Sequence, residues 1–87
     1  MARVVLARRA QAELLQLDWP LLDAVEQALE LLAHDPHAGY PLQGRLRGLR
    51  SLRVGSYRII HHLADNDRTV RIATIRHRSI VYRTDPR

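Results

Sequence analysis

The feature of the sequence that most constrains the fold is the pair Gly55-Ser56, which separates two runs of alternating polar and apolar residues. Glycine in the first position of a two-residue connection is typical of a type II′ turn, and such a turn fixes the register of both strands. The predicted cross-strand pairs are Val54 with Tyr57, Arg53 with Arg58, and Leu52 with Ile59. Because like charges directly opposed on a sheet are destabilising, the arginine pair indicates an anionic ligand.

Arginine is concentrated in the second half of the chain. Residues 1–43 hold three Arg against six Asp and Glu (net −3), whereas residues 44–87 hold eleven Arg against three Asp (net +8). The complete absence of lysine can reflect the base composition of the genome, but that does not explain the clustering. Since guanidinium groups bind phosphate in a bidentate manner and stack on bases, the basic half predicts a nucleic-acid partner.

Length and composition narrow the class of protein. The 87 residues predict one domain, 1–87, and the absence of cysteine excludes disulfides and thiolate zinc sites. His34 and His37 are three residues apart, but no third ligand lies nearby in sequence, so we expect neither metal nor cofactor. No apolar run approaches the ~18 residues of a membrane span, and the N-terminus does not resemble a signal peptide. A cytoplasmic protein with no membrane partner is therefore expected.

The spacing of apolar residues predicts the element order β-α-α-β-β-β. The predicted elements are a strand over 3–6, helices over 8–18 and 20–33, and strands over 49–54, 57–63 and 69–76. The run Asp65-Asn66-Asp67 predicts the second hairpin turn. The second helix has an apolar face and an acidic face, which we interpret as solvated surface. We expect an α+β fold with two helices packed on one face of a mostly antiparallel sheet.

Alternation along the strands assigns side chains to the two faces of the sheet. The face expected to rest on the helices carries Leu52, Val54, Tyr57, Ile59, His61 and Leu63. The opposite face carries Ser51, Arg53, Arg58, Ile60 and His62.

Two segments resemble the RelE/ParE superfamily of bacterial toxins, and most of all its RelE branch. The block RVGSYRII at residues 53–60 resembles a hairpin motif of that family, and IRHRSIVYR at residues 75–83 resembles its terminal motif. A Leu-x-Gly sequence at residues 46–48, the chain length and the element order also agree. The resemblance therefore covers essentially the whole chain.

The resemblance implies a RelE-like fold and the toxin of a type II toxin–antitoxin system. Such a toxin is a metal-independent endoribonuclease, an mRNA interferase, that cleaves mRNA typically in the ribosomal A site. The ribose 2′-hydroxyl attacks the adjacent phosphate. The implied partners are mRNA, the ribosome and a RelB-like antitoxin that is acidic and partly helical, with operator DNA reached only through the antitoxin.

The resemblance also implies roles for individual residues. Arg53 and Arg58 match residues that hold the phosphate, Arg78 matches one that assists the leaving group, and Tyr82 matches a tyrosine that stacks on a base. From residue chemistry alone, the two hairpin arginines could also form a solvated basic face. Arg78 could instead form a salt bridge, and Tyr82 could pack against the helices. Other arginines near the motifs are predicted to contact RNA: Arg45, Arg47, Arg50, Arg76 and Arg83.

The candidates for the general base are histidines near the two motifs. Arginine is a poor proton acceptor, and RelE-type sites often have lysine where this chain has Ser51 and Arg53. His77 is the best-placed titratable group, since histidine titrates near neutral pH. His77 can act as the general base only if the strand predicted over 69–76 has ended before it. Adjacent residues on a strand point to opposite faces, so His77 and Arg78 could not otherwise share a site. His62 shares the face of Arg58 but lies about 13 Å along the strand.

Two other functions are consistent with the same fold. A ParE-like toxin inhibits DNA gyrase without cutting RNA, although that branch generally lacks the clustered basic site and the terminal tyrosine. A catalytically inactive member would act only as an antitoxin-bound corepressor.

Overall fold

The protein folds as a five-stranded sheet with two helices on one face. The structure, a computed structural model, describes residues 1–83. The strands are β1 (Arg3–Leu6), β2 (Tyr40–Pro41), β3 (Arg50–Val54), β4 (Tyr57–Ala64) and β5 (Thr69–His77), and the helices are α1 (Arg8–Leu15) and α2 (Leu21–His34). The strand order is β1-β5-β4-β3-β2, and only the β1–β5 pair is parallel. The predicted α+β fold is confirmed, with β2 as an additional short strand.

The first helix is shorter than predicted. α1 ends at Leu15 rather than at residue 18, and the Leu15 side chain is 83% exposed. Proline disfavours the helical conformation of the residue before it, here Trp19, and residues 16–20 form the non-helical connection to α2. α2 agrees with its predicted bounds to within one residue at each end.

The β3–β4 hairpin has the predicted register. Gly55 has a φ of 58°, which a type II′ turn requires at its first central position. The observed pairs are Val54 with Tyr57, Arg53 with Arg58 and Leu52 with Ile59. The second turn is also confirmed, since Asp65, Asn66 and Asp67 all adopt left-handed conformations with φ between 52° and 66°.

The main core lies between the helices and the sheet. Its most buried members are Ala10 of α1, Val25 and Leu32 of α2, and Ile59, Val70, Ile72 and Ile75 of the sheet. The predicted helix-facing residues of the hairpin, Leu52, Val54, Tyr57 and Leu63, pack against this core. We call the opposite side of the sheet the outer face. None of the helices in residues 1–83 is long and apolar enough to cross a membrane.

A bulge at Ala73 changes the alternation of side chains along β5. His61 of β4 pairs with Ile72, whereas the preceding Ile60 pairs with Thr74, so Ala73 has no partner on β4. An extra residue of this kind shifts every later side chain to the other face. Ile75 therefore joins the core, and Arg76 lies on the outer face beside Arg58.

His61 is fully buried in the helix-facing layer, as predicted for a core histidine. Its Nδ1 donates to the Ile59 carbonyl oxygen (3.1 Å), and its Nε2 has no hydrogen-bond partner among the described residues. Burial lowers the pKa of His61; the Ile59 hydrogen bond opposes this shift, the nearby Arg50 and His62 charges add to it, and the resulting pKa is about 4. The imidazole is therefore neutral at physiological pH.

We expect His61 to make folding stability fall as the solution is acidified. The unfolded chain, with an ordinary histidine pKa of about 6.5, binds a proton before the folded chain does, so stability is full above pH 6.5 and is lost towards pH 4. At pH 5 the expected loss is about 2 kcal/mol. Urea denaturation at pH 7.5 and pH 5 measures it, and the His61→Leu variant should show a correspondingly smaller loss. Equal losses in both proteins would contradict the assignment.

Glu13 of α1 covers the edge of β5 beyond its pairing with β1. Its carboxylate accepts hydrogen bonds from the Thr74 hydroxyl (2.7 and 2.8 Å), the Ile75 backbone N–H (2.9 Å) and Arg76 Nε (2.6 Å). The Glu13 side chain is only 18% exposed. A carboxylate on the first helix therefore satisfies backbone and side-chain donors that the sheet leaves without a strand partner.

Replacement of Glu13 by alanine should lower the free energy of unfolding by about 2–3 kcal/mol, because it leaves a half-buried guanidinium and two donors without their acceptor. Glu13→Gln, which keeps one acceptor oxygen, should lower it less. Chemical denaturation measures both, with Glu26→Ala on the exposed face of α2 as the control. A loss no larger than that of the control would show that the edge contact is not stabilising.

Candidate active site

Three arginines form a row across the outer face. Arg53 of β3 pairs with Arg58 of β4, and Arg58 pairs with Arg76 of β5. We call Arg53, Arg58 and Arg76 the arginine row. Side chains directly opposite each other on neighbouring strands have Cβ atoms about 5 Å apart, so the row concentrates positive charge on one strip of the sheet.

The members of the row differ in how their charge is compensated. Arg76 forms an ion pair with Glu13. Arg58 is partly buried, and its Nη1 donates to the backbone oxygens of Tyr57 (3.0 Å) and Gly55 (3.4 Å). These bonds hold the Arg58 guanidinium beside the hairpin turn without neutralising it. Arg53 is exposed and forms no ion pair among the described residues. The uncompensated charge therefore belongs to Arg53 and Arg58.

A second, smaller core on the outer face positions Tyr82. Leu49, Ile60 and Val81 are buried there, with Tyr82 packed against them. The chain after β5 folds back over the sheet, and the Tyr82 hydroxyl donates to Ser51 Oγ (3.3 Å). Tyr82 is thus partly buried on the arginine side of the sheet and does not pack in the helix-facing core, which was the alternative considered from the sequence.

Tyr40 also lies at this site, although no sequence motif indicated it. It is on β2, opposite Ser51 of β3, and it is 48% exposed. Hydrogen bonding to Ser51 lowers the pKa of Tyr40, and so do Tyr82 and the positive charge of Arg58, while partial burial opposes the shift. The only sequence signal was a tyrosine followed by proline, a combination compatible with a sheet edge.

The other predicted RNA-contacting arginines fall into two groups. Arg78 lies beside the hairpin turn, because its backbone N–H donates to the Ser56 oxygen (2.7 Å), and its side chain is exposed. Arg78 forms no salt bridge within residues 1–83. Arg45, Arg47 and Arg83 are exposed, in the short 3-10 turn before β3 and in the segment after β5.

Arg50 lies on the other side of the sheet from the arginine row, and its contact with RNA stays a prediction. It shares the helix-facing side of β3 with Leu52 and Val54, and its Nη2 donates to the His37 backbone oxygen (2.7 Å). Arg76 lies on the correct face, but its ion pair with Glu13 reduces its availability for phosphate. Both placements depend on contacts between residues that are distant in sequence.

His77 is also misplaced for the catalytic role predicted for it. β5 continues through His77, which pairs with Tyr57 and faces the helix side of the sheet. The two rings meet edge to face at 5.5 Å, and His77 Nδ1 accepts a hydrogen bond from the Ser79 backbone N–H (3.1 Å). His77 therefore does not join the arginine row.

His34, at the end of α2, and His37, in the following loop, each lie near a carboxylate of the chain itself. His37 Nε2 lies 2.8 Å from Asp67, and His34 Nδ1 lies 3.8 Å from Glu30. Within residues 1–83, no three His, Asp or Glu side chains are grouped in a way that could hold a metal ion. The site that the geometry defines is therefore made of arginine, tyrosine and serine side chains.

Comparison with known proteins identifies the family. Residues 4–82 match the ParE toxins of type II toxin–antitoxin systems, parDE. The chain belongs to this family. It is also 40% identical over 63 residues to Toxin RelE of Mycobacterium tuberculosis (strain ATCC 25618 / H37Rv), and the match covers 71% of this chain and 65% of the length of that relative.

Solved structures of RelE toxins share the fold. The toxin–antitoxin complex RelBE2 from Mycobacterium tuberculosis contains a chain with a TM-score of 0.79 and 31% identity, over 87% of this chain and 96% of that one. The isolated E. coli RelE toxin has a TM-score of 0.76 at 15% identity, over 88% of this chain and 84% of that one, and it shows similarity of fold alone. The predicted membership of the RelE/ParE superfamily is confirmed.

Proposed function

We propose that this RelE/ParE-family chain is a toxin that cleaves mRNA on the ribosome without a metal ion. The observation that carries the proposal is the register pair Arg53–Arg58, two uncompensated guanidinium groups on the same face as Tyr82. A phosphate flanked by two preorganised guanidinium groups is stabilised as negative charge develops on its oxygens. If the basic face were only solvated, two arginines would not need to lie directly opposite each other on the same face as the partly buried Tyr82.

Each residue then has a role in the reaction. Arg53 and Arg58 hold the scissile phosphate, and Arg78, beside the hairpin turn, stabilises charge on the leaving oxygen. The Tyr82 ring provides a stacking surface for a base, worth about 1–3 kcal/mol. Exposed arginines around the row contact the RNA backbone: Arg45, Arg47 and Arg83. Attack by the 2′-hydroxyl yields a 2′,3′-cyclic phosphate and a 5′-hydroxyl end.

Primer extension on a translated message in cells that express the chain tests this proposal. We expect new 5′ ends within codons of the message, and only when the message is being translated. The matched control is the same message with its start codon removed. Growth arrest without cleavage of the translated message would reject the ribonuclease function.

Inhibition of DNA gyrase is the second candidate, and the match to the ParE family favours it. A supercoiling assay with purified gyrase separates the two functions. Loss of supercoiling in the presence of the chain, with intact mRNA in the primer-extension experiment, would support gyrase inhibition. The uncompensated arginine pair favours RNA cleavage.

An acidic, partly helical antitoxin is the proposed protein partner, with operator DNA bound only through it. The outer face offers a groove of about 530 Å³ that continues from the smaller core at Leu49 to β1, with Arg9 and Arg71 among its lining residues. An apolar groove bordered by arginine is complementary to a segment with apolar and acidic side chains. Antitoxins accompany related toxins in solved complexes such as RelBE2.

A further inference from the structure

Tyr40 is the residue of the arginine site that neither family motif contains. β2, only two residues long, places it directly opposite Ser51 at the sheet edge. Its side chain is about half exposed, so an RNA bound on the outer face can reach the phenol.

Ser51 connects the two tyrosines of the site. It is fully buried, and its Oγ accepts a hydrogen bond from the Tyr82 hydroxyl at 3.3 Å. A hydroxyl group has one proton to donate and can accept two others. Since the Ser51 oxygen already accepts from Tyr82, its own proton is available for Tyr40. Tyr40 is then the terminal acceptor of a chain of hydroxyl groups.

Charges around Tyr40 favour the ionised phenol. Arg58 of β4 lies close enough to interact with it, and Arg53 is two residues from Ser51 on the same face of β3. Together with the hydroxyl groups of Ser51 and Tyr82, the cation lowers the pKa of Tyr40. No carboxylate contributes to this environment among the described residues. A phenolate is therefore better tolerated here than at an ordinary surface tyrosine.

The other titratable groups near the site have different placements. His61 and His77 lie on the helix-facing side of the sheet, and Glu13 already accepts hydrogen bonds from Thr74, Ile75 and Arg76. The Tyr82 hydroxyl donates to Ser51. His62 is on the outer face, but it lies four positions further along β4 than Arg58 and lines the groove with Leu49 and Arg71. Tyr40 is thus a titratable acceptor that lies beside Arg58 on this face.

We propose that Tyr40 is the general base that removes the proton from the attacking 2′-hydroxyl of the RNA. This inference rests on the proposed ribonuclease function. The 2′-oxygen forms a bond to phosphorus as the phosphorus–5′-oxygen bond breaks, and the 2′-proton passes to the Tyr40 phenolate oxygen. The departing 5′-oxygen takes a proton from water, and Tyr40 returns its proton to solvent. Arg53 and Arg58 bind the phosphate throughout.

The test compares Tyr40→Phe with Tyr57→Phe in single-turnover cleavage of mRNA on purified ribosomes. Both variants keep the aromatic ring, and Tyr57 lies on the helix-facing side. We expect Tyr40→Phe to cleave at least about 100-fold more slowly, as is typical for loss of a general base, and Tyr57→Phe to cleave near the wild-type rate. Thermal melting of both variants establishes that the fold is intact.

The pH dependence distinguishes proton transfer from positioning. The wild-type rate should rise with pH and level off above the pKa of Tyr40. A fluorinated tyrosine has a more acidic phenol, so its incorporation at position 40 should move the plateau to lower pH. The substituted side chain has nearly the same size and shape as tyrosine. An unmoved plateau, or a Tyr40→Phe rate equal to wild type, would overturn the inference while wild-type cleavage still supports the ribonuclease function. No cleavage by the wild type would reject both.

Discussion

Replacing Arg58 with alanine should slow mRNA cleavage by about 10²–10³-fold and relieve growth arrest in cells that express the chain. The magnitude is that of removing one preorganised donor from the stabilisation of a developing negative charge. Two backbone carbonyls hold the Arg58 guanidinium in place before RNA binds, so its contribution requires little rearrangement during the reaction. Arg58→Lys should retain part of the activity, because lysine keeps the charge but loses bidentate geometry.

Arg68→Ala is the matched control for this experiment. Arg68 is exposed in the turn between β4 and β5, at the opposite end of β4 from Gly55, and its removal changes the net charge by the same amount. If the arginine row acts through position, Arg68→Ala cleaves like the wild type. Equal losses in the two variants would mean that only overall charge matters, and the assignment of a phosphate site to Arg58 would then be wrong.

Gly39→Ala should lower the free energy of unfolding by about 3–4 kcal/mol and also reduce cleavage. A Cβ at position 39 would lie 2.3 Å from the Ser51 backbone oxygen, far inside van der Waals contact. Gly39 also has a φ of +86°, which costs other residues about 1–3 kcal/mol. Relief of the clash must move β2 away from β3, which separates Tyr40 from Ser51.

Gly44→Ala provides the comparison, because Gly44 has a similar φ of +65° but no atom within 4 Å of an added Cβ. Only backbone strain of about 1 kcal/mol is expected there. Urea denaturation measures the stability of both variants, and the ribosomal assay measures their activity. If the two glycines cost the same and cleavage is unaffected, then β2 does not hold Tyr40 in the site.

The parts of the site encoded by short-range patterns were predictable. Gly55 fixes the hairpin register, so the opposition of Arg53 and Arg58 and their face of the sheet followed from the turn alone. The burial of His61 followed from alternation along the same strand. Such inferences succeed because each uses a repeat or a turn only a few residues long.

The remaining features depend on contacts that the local pattern does not encode. Tyr40 enters the site through a two-residue strand inside a loop rich in proline and glycine, too short to have a recognisable period. Arg76 is compensated by a glutamate 63 positions earlier in the chain. The buried residues of β5 do carry one local signal. Val70 and Ile72 are two positions apart, whereas Ile72 and Ile75 are three apart, a change of spacing that indicates a bulge and that His77 faces the helices.

The bulge at Ala73 makes the length of β5 as important as its composition. Deleting this one residue would restore simple alternation, and the four residues after it would exchange faces: Ile75 and His77 would turn to solvent, and Thr74 and Arg76 would enter the core. A conservative substitution at Ala73 leaves that arrangement intact. In this strand, therefore, evolution can vary side chains much more freely than it can insert or delete a position, and sequence comparisons within the family must place gaps accordingly.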